Sequence, residues 1–137
     1  MAIPILALAL CASCAGEEEQ ELRREAARVS RAVDVLRASP NKQKPPRLSA
    51  LQATACQAPD ICEMKQACVV AYQHHLAAIA GTRAAAHAAN TEGTLTPDAA
   101  GAAAELTEQS EAELEKGKVL NRKCLALQGA LRRKYRL

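Results

Sequence analysis

Residues 96–137 read TPDAAGAAAELTEQSEAELEKGKVLNRKCLALQGALRRKYRL. Within them Leu106, Ser110, Glu113, Gly117, Leu120, Cys124, Leu127 and Leu131 recur at alternating spacings of four and three. That rhythm keeps one set of side chains on a single helix face, because a turn takes about 3.6 residues. Thr96 supplies a capping hydroxyl, and Pro97 fits a first turn whose backbone N–H would lack an intrahelical partner anyway. The charges agree with the same element. Glu105, Glu108, Glu111, Glu113 and Glu115 precede Arg122, Lys123, Arg132, Arg133, Lys134 and Arg136, the order a helix dipole favours. The spacing therefore predicts one long helix to the end of the chain, with a polar middle.

Two further helical segments lie upstream. Ile61, Cys68, Tyr72, His75 and Ile79 form the stripe of a segment that begins near Leu48 and pauses at Ala58-Pro59. It resumes with Pro59 in a first turn and Asp60 near the positive helix end. Gly81 is expected to bend or end it, and the composition of residues 90–94, Asn-Thr-Glu-Gly-Thr, to turn the chain back. Leu22, Ala26, Val29, Val33 and Leu36 mark an earlier helix over about residues 17–38. Residues 40–47 carry three prolines and read as a linker that stops it.

Of the 137 residues 49% are hydrophobic, but 31 are alanine, two are tyrosine, and Phe and Trp are absent. Few β-branched or aromatic runs argue against a sheet, and the length suits one domain. The fold class is all-α: a small antiparallel helical hairpin or three-helix bundle. A formal charge of +3, without base-stacking aromatics, points away from nucleic acid.

Large apolar side chains are scarce, so covalent staples are expected to supplement the core. Cys56, Cys62, Cys68 and Cys124 form an even set. Cys62 and Cys68 are six apart, about 600° around a helix, and cannot bond within one. Folding back near Thr94 sets Cys124 level with roughly residue 64. Cys68 and Cys124 lie on facing stripes, so they are expected to pair, leaving Cys56 with Cys62 across the break. A metal site from Cys56, Cys62, Cys68 and His74 or His75 would need five-residue gaps, longer than usual zinc pairs. His74 and His75 diverge by about 100° on a helix, so one is expected at the stripe edge and one in water.

Met1 to Leu10, MAIPILALAL, carries no charge, and Cys11-Ala12-Ser13-Cys14 follows directly. An apolar run of this length is too short to span a bilayer and matches the core of an export signal. Ala12-Ser13-Cys14 resembles the lipobox of bacterial lipoproteins. The resemblance covers the first fourteen residues. It implies cleavage before Cys14, lipidation of Cys14, membrane attachment through that lipid and, with Ala15 next, the periplasmic face of a bacterial outer membrane; an ordinary cleaved signal would instead leave the chain periplasmic or secreted.

The expected organisation is a signal over residues 1–13, a lipidated N-terminus and first helix over 14–39, a linker over 40–47 and a stapled hairpin over 48–137. No phosphate loop, nucleophile elbow or buried carboxylate pair is legible, so neither catalysis nor a metal or other cofactor is expected. The functional expectation is a non-enzymatic helical scaffold or adaptor of the envelope that engages a protein partner there. The alternative is a periplasmic binder or sensor of a metal or small ligand. Self-association is expected through the seams Leu22–Leu36 and Leu120–Leu131.

Overall fold

The structure is a computed structural model that describes residues 12–90 and 96–137. The signal expected over residues 1–13 falls almost wholly outside these residues. Described residues form four α-helices, α1 (Ala12–Ala38), α2 (Lys44–Ala53), α3 (Pro59–Asn90) and α4 (Pro97–Tyr135), with a single 3-10 turn at Asn41–Gln43.

The all-α expectation holds, with one helix more than the three expected. Residues 40–47 do not form an extended linker: α2 starts within them, at Lys44. Pro45 and Pro46 occupy its first turn, where a missing N–H costs no helical hydrogen bond. The prolines therefore mark the start of a helix as well as the end of another. Ser39 and Pro40 separate α1 from the 3-10 turn, and residues 54–58 separate α2 from α3.

Two polar side chains fix these reversals. The Lys44 ammonium donates to the carbonyls of Leu36, Arg37 and Ser39 at 3.2, 3.1 and 2.7 Å. These carbonyls close α1, where the helix itself offers no donors, so Lys44 acts as its C-terminal cap from the next helix. Burial lowers the Lys44 pKa from its ordinary value. At the other end of α2, the buried Glu25 carboxylate accepts from Gln57 N at 2.5 Å and Ala58 N at 3.2 Å. Both amides directly precede α3, and a carboxylate is favoured at that positive helix end.

Helices α1 to α4 run up, down, up and down. Arg23 of α1 reaches the carbonyl of Arg136, whereas Arg37 reaches Gln128, so α1 is antiparallel to the last part of α4. Lys44 lies over Tyr72 and Lys65 donates to the carbonyls of Gln52 and Thr54, so α2 is antiparallel to the first part of α3. The core is confined to this end. It comprises Val29, Val33, Leu36, Leu51, Ile61, Met64, Cys68, Cys124, Leu131 and their neighbours. All five residues of the α1 stripe are buried or half-buried against the hairpin, as are all eight of the α4 stripe. Both stripes read as seams for self-association are therefore consumed inside the chain.

Past Leu76 only α3 and α4 continue, as a two-helix arm. Its buried residues are Ala78, Ala85 and Ser110. Gly81 does not end α3, which runs on to Asn90. Its missing side chain serves packing: a Cβ there would lie 2.2 Å from Ser110 Oγ and 3.3 Å from Ser110 Cβ. Gly81→Val is expected to splay the arm at a cost of about 1–3 kcal/mol. Amide exchange should then quicken around Ala78 and Ser110 while Val33 and Ile61 keep their protection. Uniform protection in the variant would show that Gly81 is not a point of close approach.

Candidate functional site

The disulfides are the chemistry the sequence names most firmly. Cys56 bonds Cys62 and Cys68 bonds Cys124, with Cα separations of 5.5 and 4.8 Å, well within the range of ordinary disulfides. Cys68 and Cys124 are fully buried and tie α3 to α4 in the middle of the core. Cys56–Cys62 closes the bend before α3 onto its first turn. All four sulfurs are thus committed to covalent bonds, which leaves no thiolate for the metal set considered with His74 or His75. Among the described residues no group of three or more His, Cys, Asp or Glu could hold a metal ion. Cys14 lies in the first turns of α1, and its side chain is outside the described residues.

His74 and His75 are both half-buried, which differs from one ring in water. His74 Nδ1 meets Glu113 Oε2 at 2.5 Å, while His75 stands edge-on to Tyr72 with ring centres 6.2 Å apart. Burial first, and the nearby Lys44 charge second, hold the His75 pKa below its ordinary value. Hydrogen bonds from His74 and then Lys116 hold the Glu113 pKa low.

A polar seam joins α1 to α4. Buried Gln128 donates through Nε2 to Ser30 O, Ser30 Oγ and Asp34 Oδ1 at 3.0–3.1 Å and accepts from Arg37 Nη2 at 2.7 Å. Arg132 adds an ion pair with Asp34. The last turn of α4 is tied to the start of α3 as well: Lys134 pairs with Asp60 at 2.6 Å, and Tyr135 Oη donates to the same carboxylate. Burial works to raise the Asp60 pKa, but Lys134, Tyr135 and the Ile61 amide together leave it below its ordinary value. A depressed carboxylate pKa stabilises the fold above the unfolded value, and this contribution is lost as pH falls through the folded one. Stability is expected to fall between about pH 5 and pH 3, and Asp60→Asn should flatten that fall in thermal melts. An unchanged acid limb would show that the clamp does not form.

Two of the surface concavities bear on function. A cleft of about 310 Å³ lies where the four-helix end meets the arm, lined by Asn41, Tyr72, His75, Lys118 and Asn121 among others. The Asn121 Oδ1 atom is buried there without a hydrogen-bond partner. The second is a groove of about 490 Å³ between α1 and α2, edged by Arg24, Arg28, Arg31 and Arg47 over a floor of Ala27, Ala32, Val35 and Ala50. Arg24 pairs with Glu21 at 3.5 Å, an exposed contact worth little. Arg28, Arg31 and Arg47 have no ion pair among the described residues. Spacings of four and three put Arg24, Arg28 and Arg31 on one face in the sequence. Arg47 joins them only because α2 folds back beside α1, which composition and periodicity do not reveal.

No protein-family model matches the chain, and neither a curated protein nor a solved structure is detectably similar to it.

Proposed function

We propose that this chain is a small exported lipoprotein of the bacterial envelope, held to the membrane by a lipid on Cys14, and that it acts as a non-enzymatic helical adaptor. The observation that carries this reading is the pairing of all four cysteines downstream of the lipobox-like segment, in a fold poor in large apolar side chains. Such staples persist in oxidising compartments and are reduced in the cytosol. No described helix is long and apolar enough to cross a membrane, so attachment in this reading falls to the acyl group. One chain gives only marginal binding and several give a stable anchor.

Shape supports the adaptor role. One end is a stapled four-helix core, and the other is a two-helix arm of about 20 Å that exposes charged faces on a rigid support. A folded anchor with a projecting arm suits display of a surface to a partner. Cys14→Ser tests the anchor: labelled palmitate should no longer be incorporated, and the chain should move from the membrane to the soluble envelope fraction. Unchanged labelling and fractionation would sink the lipid reading.

The cleft beside Asn121 favours a second reading, a binder of a small polar ligand. Amide chemical shifts of Ala71, His75 and Asn121 should then move together on titration with such a ligand, with half-saturation below about 1 mM.

A further inference from the structure

The arginine groove has an occupant of matching pattern in the same sequence. Along α1, Arg24, Arg28, Arg31 and Val35 are spaced four, three and four. Along α4, counted backwards, Glu115, Glu111, Glu108 and Ala104 are spaced four, three and four as well. All eight side chains are exposed. Laid antiparallel, the two helices pair Arg24 with Glu115, Arg28 with Glu111, Arg31 with Glu108 and Val35 with Ala104 in a single register. Residues at these spacings share a helix face, so the three ion pairs and the apolar pair form together.

This pairing is out of reach within one chain. There α1 lies against the last part of α4, where Arg23 meets Arg136 and Ser30 meets Gln128. The glutamate ridge sits about twenty residues further back along α4, some 30 Å away at the rise of a helix. A second copy, displaced by that distance along the same axis, brings its arm level with the groove. A groove between two helices also has the shape that a third helix fills.

We infer that the groove between α1 and α2 takes the acidic arm of a second copy of this chain, Arg24, Arg28 and Arg31 pairing with Glu115, Glu111 and Glu108. The contact is head-to-tail. Each copy keeps one free groove or one free arm, so assembly continues as a row unless rotation closes it. Glu115 exchanges its present exposed partner Lys118, and Arg24 exchanges Glu21. Neither exchange opposes assembly much, because exposed pairs at this spacing contribute little. The inference does not depend on the lipid at Cys14.

The test is co-capture of two differently tagged copies of the full chain in non-ionic detergent, at about 0.05 M and 0.5 M salt. Wild-type copies should capture each other at low salt and lose most of the association at high salt. Arg28→Glu with Arg31→Glu should weaken self-capture at least about tenfold, and so should Glu108→Arg with Glu111→Arg. Mixing the two reversed variants should restore capture, since each then offers the other a complementary groove or arm. All four positions are exposed, so unchanged helicity should certify the folds. Absence of wild-type capture overturns the proposal. So does capture that survives either reversal, or a mixture that fails to restore it. Loss of phosphatidylglycerol-vesicle binding in the arginine variant, with wild-type copies not associating, would assign the groove to an anionic lipid surface instead.

Discussion

Replacing Cys68 and Cys124 together by alanine is expected to destabilise the chain by about 4 kcal/mol, the largest effect of any paired change considered. Their bond spans a sequence separation of 56, and opening it restores to the unfolded chain the freedom of a long loop. Cys56–Cys62 spans only six, so Cys56→Ala with Cys62→Ala should cost about 2 kcal/mol. The contrast is the informative part, since both bonds tie α3 to a neighbouring segment but differ in loop length. Marginal domains are stable by only about 5–15 kcal/mol, and this core contains no Phe or Trp. Loss of the long bridge should therefore lower the thermal midpoint by about 10–20 °C at neutral pH. Helicity at 222 nm followed through a melt gives the answer. A loss below about 1 kcal/mol would mean that apolar packing alone holds the hairpin.

Leu36→Ala is expected to cost about 3 kcal/mol, within the range for removing a buried leucine side chain. Leu36 is wholly buried, whereas its neighbour Val35 is 42% exposed. Val35→Ala should thus change stability by no more than about 0.5 kcal/mol. The pair decides whether α1 is a freely projecting stalk or the third wall of the core, because a stalk would make both changes neutral. Urea titration of the two variants, with unchanged slopes, isolates the native-state effect. Equal midpoints for Leu36→Ala and wild type would remove α1 from the core.

Much of this fold is legible in the residues. Every residue of the four-three rhythm from Leu106 to Leu131 is buried or half-buried, because a long amphipathic helix overdetermines its face, but the rhythm passes over buried Gln128 and half-buried Asn121 and Gly129 beside it. The pairing of Cys68 with Cys124 follows from helix rise and one turn. What escapes is tertiary. Pro45 and Pro46 are compatible both with a linker and with a first helical turn, and only the packing of Leu48 and Leu51 selects the latter. Gly81 looks like a breaker along the chain and proves to be a gap for Ser110 across it. Glu25 and Lys44 look like surface charges until the backbone groups they satisfy, 32 and 33 residues away for Glu25, are in place. The arginine groove was half legible, three guanidiniums on α1 being periodic while Arg47 arrives from α2.

The central claim, an exported and lipid-anchored chain stapled by two disulfides, is tested most directly by the intact mass of the protein taken from its own envelope. Alkylation should be performed with and without prior reduction. The account predicts a chain that begins at Cys14, carries acyl groups, and gains four alkyl groups only after reduction, on Cys56, Cys62, Cys68 and Cys124. A chain that begins at Met1 and alkylates at those four cysteines without reduction would contradict it.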